Sequence, residues 1–170
     1  TKPSLSIIQL MGQHVSYKER FPEEYAFFTI EDYGDRTTLN DDEKQMIANY
    51  DNATRYTDEQ IYKIIQAYKD RDAIIIYLSD HGEEVFDCRK HSGRTYNLKE
   101  LAPESYHYQI DIPFFIYATE KYKENHPDKV AMIKESVDRP FMTDDICHLL
   151  FYLGDIDTEW FDQKRCLIHT

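Results

Sequence analysis

Ala73-Ile-Ile-Ile-Tyr-Leu-Ser-Asp80-His81-Gly82-Glu83 decides how the rest of this chain is read. An apolar, isoleucine-rich run stops abruptly at Ser79, a carboxylate, an imidazole, a glycine and a second carboxylate. A short bounded run of this kind predicts a fully buried strand of a parallel sheet, because such strands are covered on both faces. Ligands of open α/β sheets bind beyond the carboxyl ends of the strands. Asp80 and His81 therefore stand where chemistry is expected, and both are suitable ligands for a divalent cation such as zinc. Neighbours within a strand face opposite ways. At a strand end the backbone turns, and both side chains can converge on one ion. The competing reading is a helix-capping aspartate beside a structural histidine. The isoleucines before the pair and the Gly-Glu after it favour the metal.

Upstream, Leu5-Ser-Ile-Ile-Gln-Leu-Met11 reads as a first strand beginning near Ser4 and running into a polar turn, Gly12-Gln13-His14. Ser16 to Phe28, interrupted by Pro22, reads as a surface excursion. Asn40-Asp-Asp-Glu43 and Thr57-Asp-Glu-Gln60 are both capping-box patterns. They predict two helices, or one bent near Thr57, over Asp41 to Arg71, packed on the sheet. Downstream, Glu83 to Pro103 is polar and irregular, and loops of that length are often functional. Ile112 to Ala118 reads as a further strand with Pro113 at its start, where proline is tolerated. A charged helix follows over Lys121 to Val137. Thr143 caps a last helix carrying Ile146, Leu149, Leu150 and Leu153 and stopped by Gly154. The pattern is α/β, a mostly parallel sheet flanked by helices, and residues 1–170 read as one piece of one domain.

The net charge of −12 argues against a nucleic-acid partner, which needs a basic surface, but not against a metal. Fourteen tyrosines and nine phenylalanines suit a packed domain rather than a disordered chain. No run approaches the roughly 20 apolar residues of a membrane helix, and no signal peptide is present. Cys88, Cys147 and Cys166 lack Cys-x-x-Cys spacing, which excludes zinc-finger and thioredoxin readings and leaves one disulfide pair possible.

Three further groups are site candidates. His14 ends the first predicted strand, and parallel strands would place it on the same rim as His81. His91 lies in the long loop among Asp87, Arg89, Lys90 and Arg94. Basic residues there, facing a metal, would hold a phosphate-like anion. A solvated loop is the alternative. Glu83 and Glu84 either orient a ligand histidine from behind or face water. His148, inside the last helix, reads as structural, and Asp144 and Asp145 as first-turn carboxylates. His107 is a weak candidate. Ser79 is not in a Gly-x-Ser-x-Gly elbow, so a serine hydrolase is unsupported.

Ser79-Asp80-His81-Gly82-Glu83 after a buried strand resembles the metal motif of the alkaline-phosphatase/sulfatase superfamily. Leu10-Met11-Gly12-Gln13-His14 followed by Tyr17-Lys-Glu-Arg-Phe-Pro22 resembles a motif of its phosphoethanolamine transferases. So do Asn49-Tyr-Asp-Asn-Ala53 with Tyr56-Thr-Asp58, and Ile112-Pro-Phe-Phe-Ile116. The blocks occur in the family's order and cover nearly the whole chain. The resemblance implies the C-terminal half of a sulfatase-like catalytic domain. It implies a bacterial inner-membrane enzyme, anchored through helices upstream, with its catalytic domain in the periplasm. Such enzymes move phosphoethanolamine from phosphatidylethanolamine to lipid A, the lipopolysaccharide core or another glycan, through a threonine-linked intermediate and with Zn2+ or another divalent cation. By position, Asp80 and His81 would be metal ligands, and His14 and His91 would lie by the substrate. Gln9 stands where the family usually has its first histidine. The resemblance places the threonine nucleophile and the remaining glutamate ligand upstream, so this part alone is expected to be inactive. A sulfatase or phosphodiesterase of the same superfamily, hence a hydrolase, is the alternative enzyme. A relic domain without catalysis is the non-enzymatic one.

Overall fold

In a computed structural model, which describes residues 3–95 and 102–168, the isoleucine run forms strand β1 (Ile74–Leu78). The chain divides into two compact units. One is built from Thr1–Ser6, Tyr68–Tyr77 and Phe115–Thr170, and the other from Ile7–Ala67 and Leu78–Phe114.

The second unit is organised by α1 (Asp41–Tyr68), a single 28-residue helix. Its start is the predicted capping box: the Glu43 amide donates to Asn40 Oδ1 at 2.9 Å and the Asn40 amide to Glu43 Oε2 at 2.8 Å. The expected break at Thr57 does not occur. No glycine or proline interrupts 41–68, and Ala53, Thr57 and Ile61 are buried one turn apart, so one continuous face carries the helix through the second box. Tyr17, Ile47 and Val85 form a core cluster with Tyr33, Leu39, Tyr50 and Phe86 packed against it. The stretch expected to be a surface excursion is thus anchored. Tyr17 and Phe21 are buried, and the Tyr17 and Tyr50 rings meet edge to face at 5.2 Å. Asn52, fully buried on α1, accepts the Phe27 and Phe28 amides at 2.8 Å each and donates to the Phe28 carbonyl at 2.9 Å.

Within this unit the expected long loop contains a small antiparallel hairpin, β2 (Glu84–Val85) and β3 (Ser92–Gly93), with Glu84 opposite Gly93 and Val85 opposite Ser92. Part of that loop, residues 96–101, lies outside the described residues, as does His169. A short helix, α2 (Tyr106–Ile110), follows.

The first unit holds β1 beside β4 (Phe114–Ala118). The Thr119 amide donates to the Ala73 carbonyl at 3.1 Å, and Tyr77 stacks on Phe115 at 5.3 Å. The end of β4 therefore lies beside the start of β1, and the pair runs antiparallel. No parallel pair occurs among the described residues. Each residue of β1 is half-buried rather than fully buried, because β4 is its one paired neighbour among the described residues. Ser4 to Met11, expected as a first strand, forms none: Leu5, Ile7, Ile8 and Met11 are exposed. Its residues have the composition of a strand, but a strand exists only when a neighbour takes up its backbone groups.

Thr119 is fully buried and joins the sheet to the helices. Its hydroxyl lies within hydrogen-bond distance of the Arg71 and Ala73 carbonyls and accepts the Tyr122 amide, capping α3 (Glu120–Asn125). The single charged helix expected over 121–137 is split by Pro127, which opens α4 (Pro127–Glu135) at the position where proline is favoured. α5 (Ile146–Leu153) ends as expected at Gly154, although the left-handed residue is Asp155 (φ 50°). Lys129 secures that end, donating to the Leu153 carbonyl at 3.0 Å and to Asp155 at 2.7 Å. His148 is structural, as expected: it is buried and its Nδ1 accepts the Asp162 amide at 3.1 Å. All three cysteines are free thiols.

Replacing Asn52 by Ala removes three hydrogen bonds and leaves the Phe28 amide and carbonyl unpaired, while the Phe27 amide keeps the Tyr25 carbonyl at 2.9 Å. We expect a loss of about 2–4 kcal/mol in urea unfolding. Gln45→Ala, on the exposed side of the same helix, should stay within about 0.5 kcal/mol of the parent.

Candidate metal-binding turn

The candidate site is the turn that follows β1. The Ser79 hydroxyl donates to the His81 carbonyl at 2.8 Å and so closes the turn on itself. His81 Nδ1 lies 2.8 Å from the Gly82 carbonyl. A carbonyl can only accept, so Nδ1 carries a proton, and in the neutral ring the lone pair lies on Nε2. Nε2 faces Asp80, 3.6 Å from Oδ1. Two donors on one tetrahedral ion, each bonded at about 2.0 Å, stand roughly 3.3 Å apart. The pair thus has nearly the spacing and the tautomer a metal requires. The Asp80 side chain is 88% exposed and that of His81 28%. Among the described residues no third His, Cys, Asp or Glu joins them, so the residues present fit half of a zinc site.

The turn is held from below. Gly82 donates its amide to the Gln109 carbonyl at 3.1 Å. A Cβ at Gly82 would fall 2.3 Å from the Tyr108 carbonyl oxygen and 2.9 Å from that of Asp111, so only glycine fits against the end of α2. Glu84 has no exposed surface. Its carboxylate receives Arg89 Nε at 3.1 Å and Nη2 at 3.1 Å, Gln109 Nε2 at 3.0 Å and the Cys88 thiol at 3.2 Å. Arg89 Nη2 also donates to Thr95 Oγ1 at 2.8 Å, and the Thr95 amide donates to Gln109 Oε1 at 2.8 Å. Burial pushes the Glu84 pKa up, but the bonds from Cys88, Gln109, Arg89 and Ser105 outweigh it and leave the carboxyl below its ordinary value.

These contacts revise two expectations. Glu83 and Glu84 neither face water together nor orient a histidine: Glu84 binds Arg89 and Gln109, Glu83 bonds the buried Tyr17 hydroxyl, and the Gly82 carbonyl holds the His81 proton. Burial and the Glu83 charge push the Tyr17 hydroxyl well above the usual phenol range. Nor are Arg89 and Lys90 free to hold an anion. They pair with Glu84 and with Glu43, the latter at 3.4 Å. Glu83 also borders a cavity of about 310 Å³ that Tyr33, Arg36, Asp51, Asp87 and Tyr108 help to line.

His14 sits in its own turn. Its amide donates to the Met11 carbonyl at 3.1 Å, after Gly12 in the left-handed region (φ 48°). Arg20 Nε holds the His14 carbonyl at 2.8 Å, and Gln13 bonds Thr54 on α1 at 3.0 Å. His14 Nδ1 lies 2.6 Å from the Val15 carbonyl, which fixes the same tautomer as in His81. His91 follows the hairpin turn. Its carbonyl accepts the Phe86 amide at 2.8 Å, and its Nε2 is buried without a hydrogen-bond partner among the described residues. The structure brings Asp80 and His81 together, and it does not bring His14 or His91 into a metal-binding group with them. Sequence reasoning missed Gln109, Thr95 and the burial of Glu84. The available signal was Gly82, whose closeness to another backbone is what a glycine after a strand can mark.

Residues 1–155 match the sulfatase family model. Phosphoethanolamine transferase EptC of Escherichia coli K12 is 30% identical over 167 residues, which is 97% of this chain and 28% of that protein. Kdo(2)-lipid A phosphoethanolamine 7''-transferase of the same strain is 32% identical over 136 residues, 79% of this chain and 23% of that protein. The crystal structure of the C-terminal periplasmic domain of E. coli EptC in complex with Zn superposes with a TM-score of 0.79 at 29% identity, covering 93% of this chain and 43% of that one. The chain therefore spans less than a third of the length of these curated relatives and under half of the solved domain.

Glu84→Gln tests the buried carboxylate. A depressed carboxyl stabilises fully above its unfolded value near 4.5, and that stabilisation fades as pH falls through the lower folded value. The parent should therefore lose stability as pH is lowered from about 5. Glu84→Gln should be less stable at pH 7, and its urea midpoint should fall less over the same acid range. The sequence motif, the geometry of the turn and the match over residues 1–155 together establish that the chain belongs to the sulfatase family.

Proposed function

We propose that this chain is the metal-ligating C-terminal portion of a phosphoethanolamine transferase. The observation that carries the proposal is the Asp80–His81 pair, set 3.6 Å apart with His81 Nδ1 committed to the Gly82 carbonyl, in a chain whose relatives are named as such transferases. In this reading Asp80 Oδ1 and His81 Nε2 are two ligands of a Zn2+ ion. The ion, when bound, acts as a Lewis acid that lowers the pKa of an attacking hydroxyl and neutralises charge on the transferring phosphoryl group.

The chain's own residues bind and orient. The Gly82 carbonyl holds the His81 proton on Nδ1, so the ring cannot turn over without losing that bond. His91 Nε2, buried and without a partner among the described residues, has a hydrogen bond to offer a phosphoryl oxygen. The same reading places His14, whose Nδ1 is committed to the Val15 carbonyl, beside the substrate. The donor in this proposal is phosphatidylethanolamine. The acceptor is a sugar or lipid A phosphate of lipopolysaccharide or a related glycan, and the site faces the periplasm. A threonine hydroxyl attacks phosphorus and diacylglycerol leaves with the proton. The extra length of the relatives is where we place that threonine and a membrane anchor. No helix among the described residues is long and apolar enough to cross a membrane.

The test is transfer by the full-length protein in cells, read by mass spectrometry of lipid A and core oligosaccharide for an added phosphoethanolamine. Asp80→Asn and His81→Ala should each lower the modified fraction by about 100-fold or more. A protein that leaves every such acceptor unmodified but hydrolyses a sulfate ester or phosphodiester would establish the alternative enzyme. Unchanged transfer in both variants would overturn the metal assignment.

A further inference from the structure

We propose that Gln109 is a positioning residue for the Asp80–His81 pair, and this rests on the metal-ligand reading above. Gln109 lies on α2 and is 7% exposed. No hydrogen bond joins it to Asp80 or His81, yet it holds three places in the chain that follows them. Its main-chain carbonyl takes the Gly82 amide at 3.1 Å. Its side-chain nitrogen donates to Glu84 at 3.0 Å, and its side-chain oxygen accepts the Thr95 amide at 2.8 Å. One residue thus pins both the glycine that follows His81 and the strand residue two positions further on.

The fit at Gly82 turns this pinning into orientation. With the Tyr108 carbonyl 2.3 Å from where a Cβ would sit, Gly82 lies flush on the last turn of α2 and has no room to slide towards it. The Gly82 carbonyl, on the same residue, accepts the His81 Nδ1 proton. The chain of contacts runs from the Gln109 carbonyl to the Gly82 amide, and from the Gly82 carbonyl to the His81 ring. Its outcome is the direction of Nε2 and its 3.6 Å separation from Asp80. The side-chain amide matters because α2 has only five residues, too short to be stable by itself. The bonds to Glu84 and Thr95 attach it to the hairpin, so losing the side chain lets the Gln109 carbonyl drift from Gly82.

A merely structural Gln109 would change stability without changing His81. The deciding readouts are therefore local and do not need the metal. In the metal-free chain, the imidazole 15N shifts of His81 report its tautomer and the Gly82 amide reports its own protection. In Gln109→Ala, Gly82 exchange should rise by at least about 10-fold and the His81 nitrogens should move towards a mixture of tautomers, while amides of α5 keep their protection. Should Gln109→Ala not fold, Gln109→Asn, which keeps the amide on a shorter arm, gives the same readouts. Zinc affinity, measured by competition with a chromophoric chelator, should fall about 10- to 100-fold in Gln109→Ala. An unchanged His81 signature and unchanged Gly82 exchange in a folded Gln109 variant would overturn the proposal. A parent chain whose zinc affinity is insensitive to Asp80→Asn would overturn the metal reading instead and leave the tautomer test standing.

Discussion

The buried carboxylate of Glu84 is the interaction on which the rest of the second unit depends. An ionised carboxylate with no exposed surface is costly to desolvate, and it survives only when charge and hydrogen bonds are supplied on several sides. Arg89 supplies the charge through two nitrogens, while Gln109 and Cys88 supply further donors. None of these groups is near Glu84 by local geometry alone. Gln109 comes from α2, and Arg89 has to turn back from beyond the hairpin's first strand. The requirement to satisfy one charge thus gathers the hairpin, α2 and Thr95 into a single body, although the two hairpin strands have only two residues each. Such a pair adds little net stability over apolar packing, but removing one partner is strongly destabilising. Its value here is that it admits one arrangement.

That arrangement determines the chemistry of the turn. Ser79, His81 and Gly82 bond one another through side chain and backbone, which makes the turn self-consistent but gives it no fixed direction. Direction comes from Gly82 lying on α2, and α2 is in place because Gln109 is tied to Glu84. Asp80 is the least constrained member. It is largely exposed, whereas His81 is mostly covered. The histidine is preset and the exposed carboxylate is free to turn.

What was legible in the sequence is what short-range physics decides. The isoleucine run gives β1, Asn40 and Glu43 close a capping box, the last helix stops at Gly154, and His148 packs inside it. Each needs only a few neighbouring residues. The misreadings needed distant ones. Thr57 carries a capping signature, but its burial on α1 lets the helix pass through it. Arg89 and Lys90 look like anion ligands until Glu84 and Glu43 arrive from elsewhere in the chain. Glu84 looks solvated because nothing adjacent announces the groups that bury it. The juxtaposition of Asp80 and His81 was legible, since a polar cluster after an apolar strand is a local signal. The Gln109 support was not, because no periodicity links residue 109 to residue 82.

The apolar segment from Leu5 to Met11 and the Asp80–His81 pair share one property: each lacks partners among the described residues. Leu5, Ile7, Ile8 and Met11 are exposed, and their backbone has no strand neighbour among the described residues. A row of exposed apolar side chains is a surface that ordinary proteins keep covered. Asp80 and His81 likewise present two donors where zinc normally takes three or four from protein.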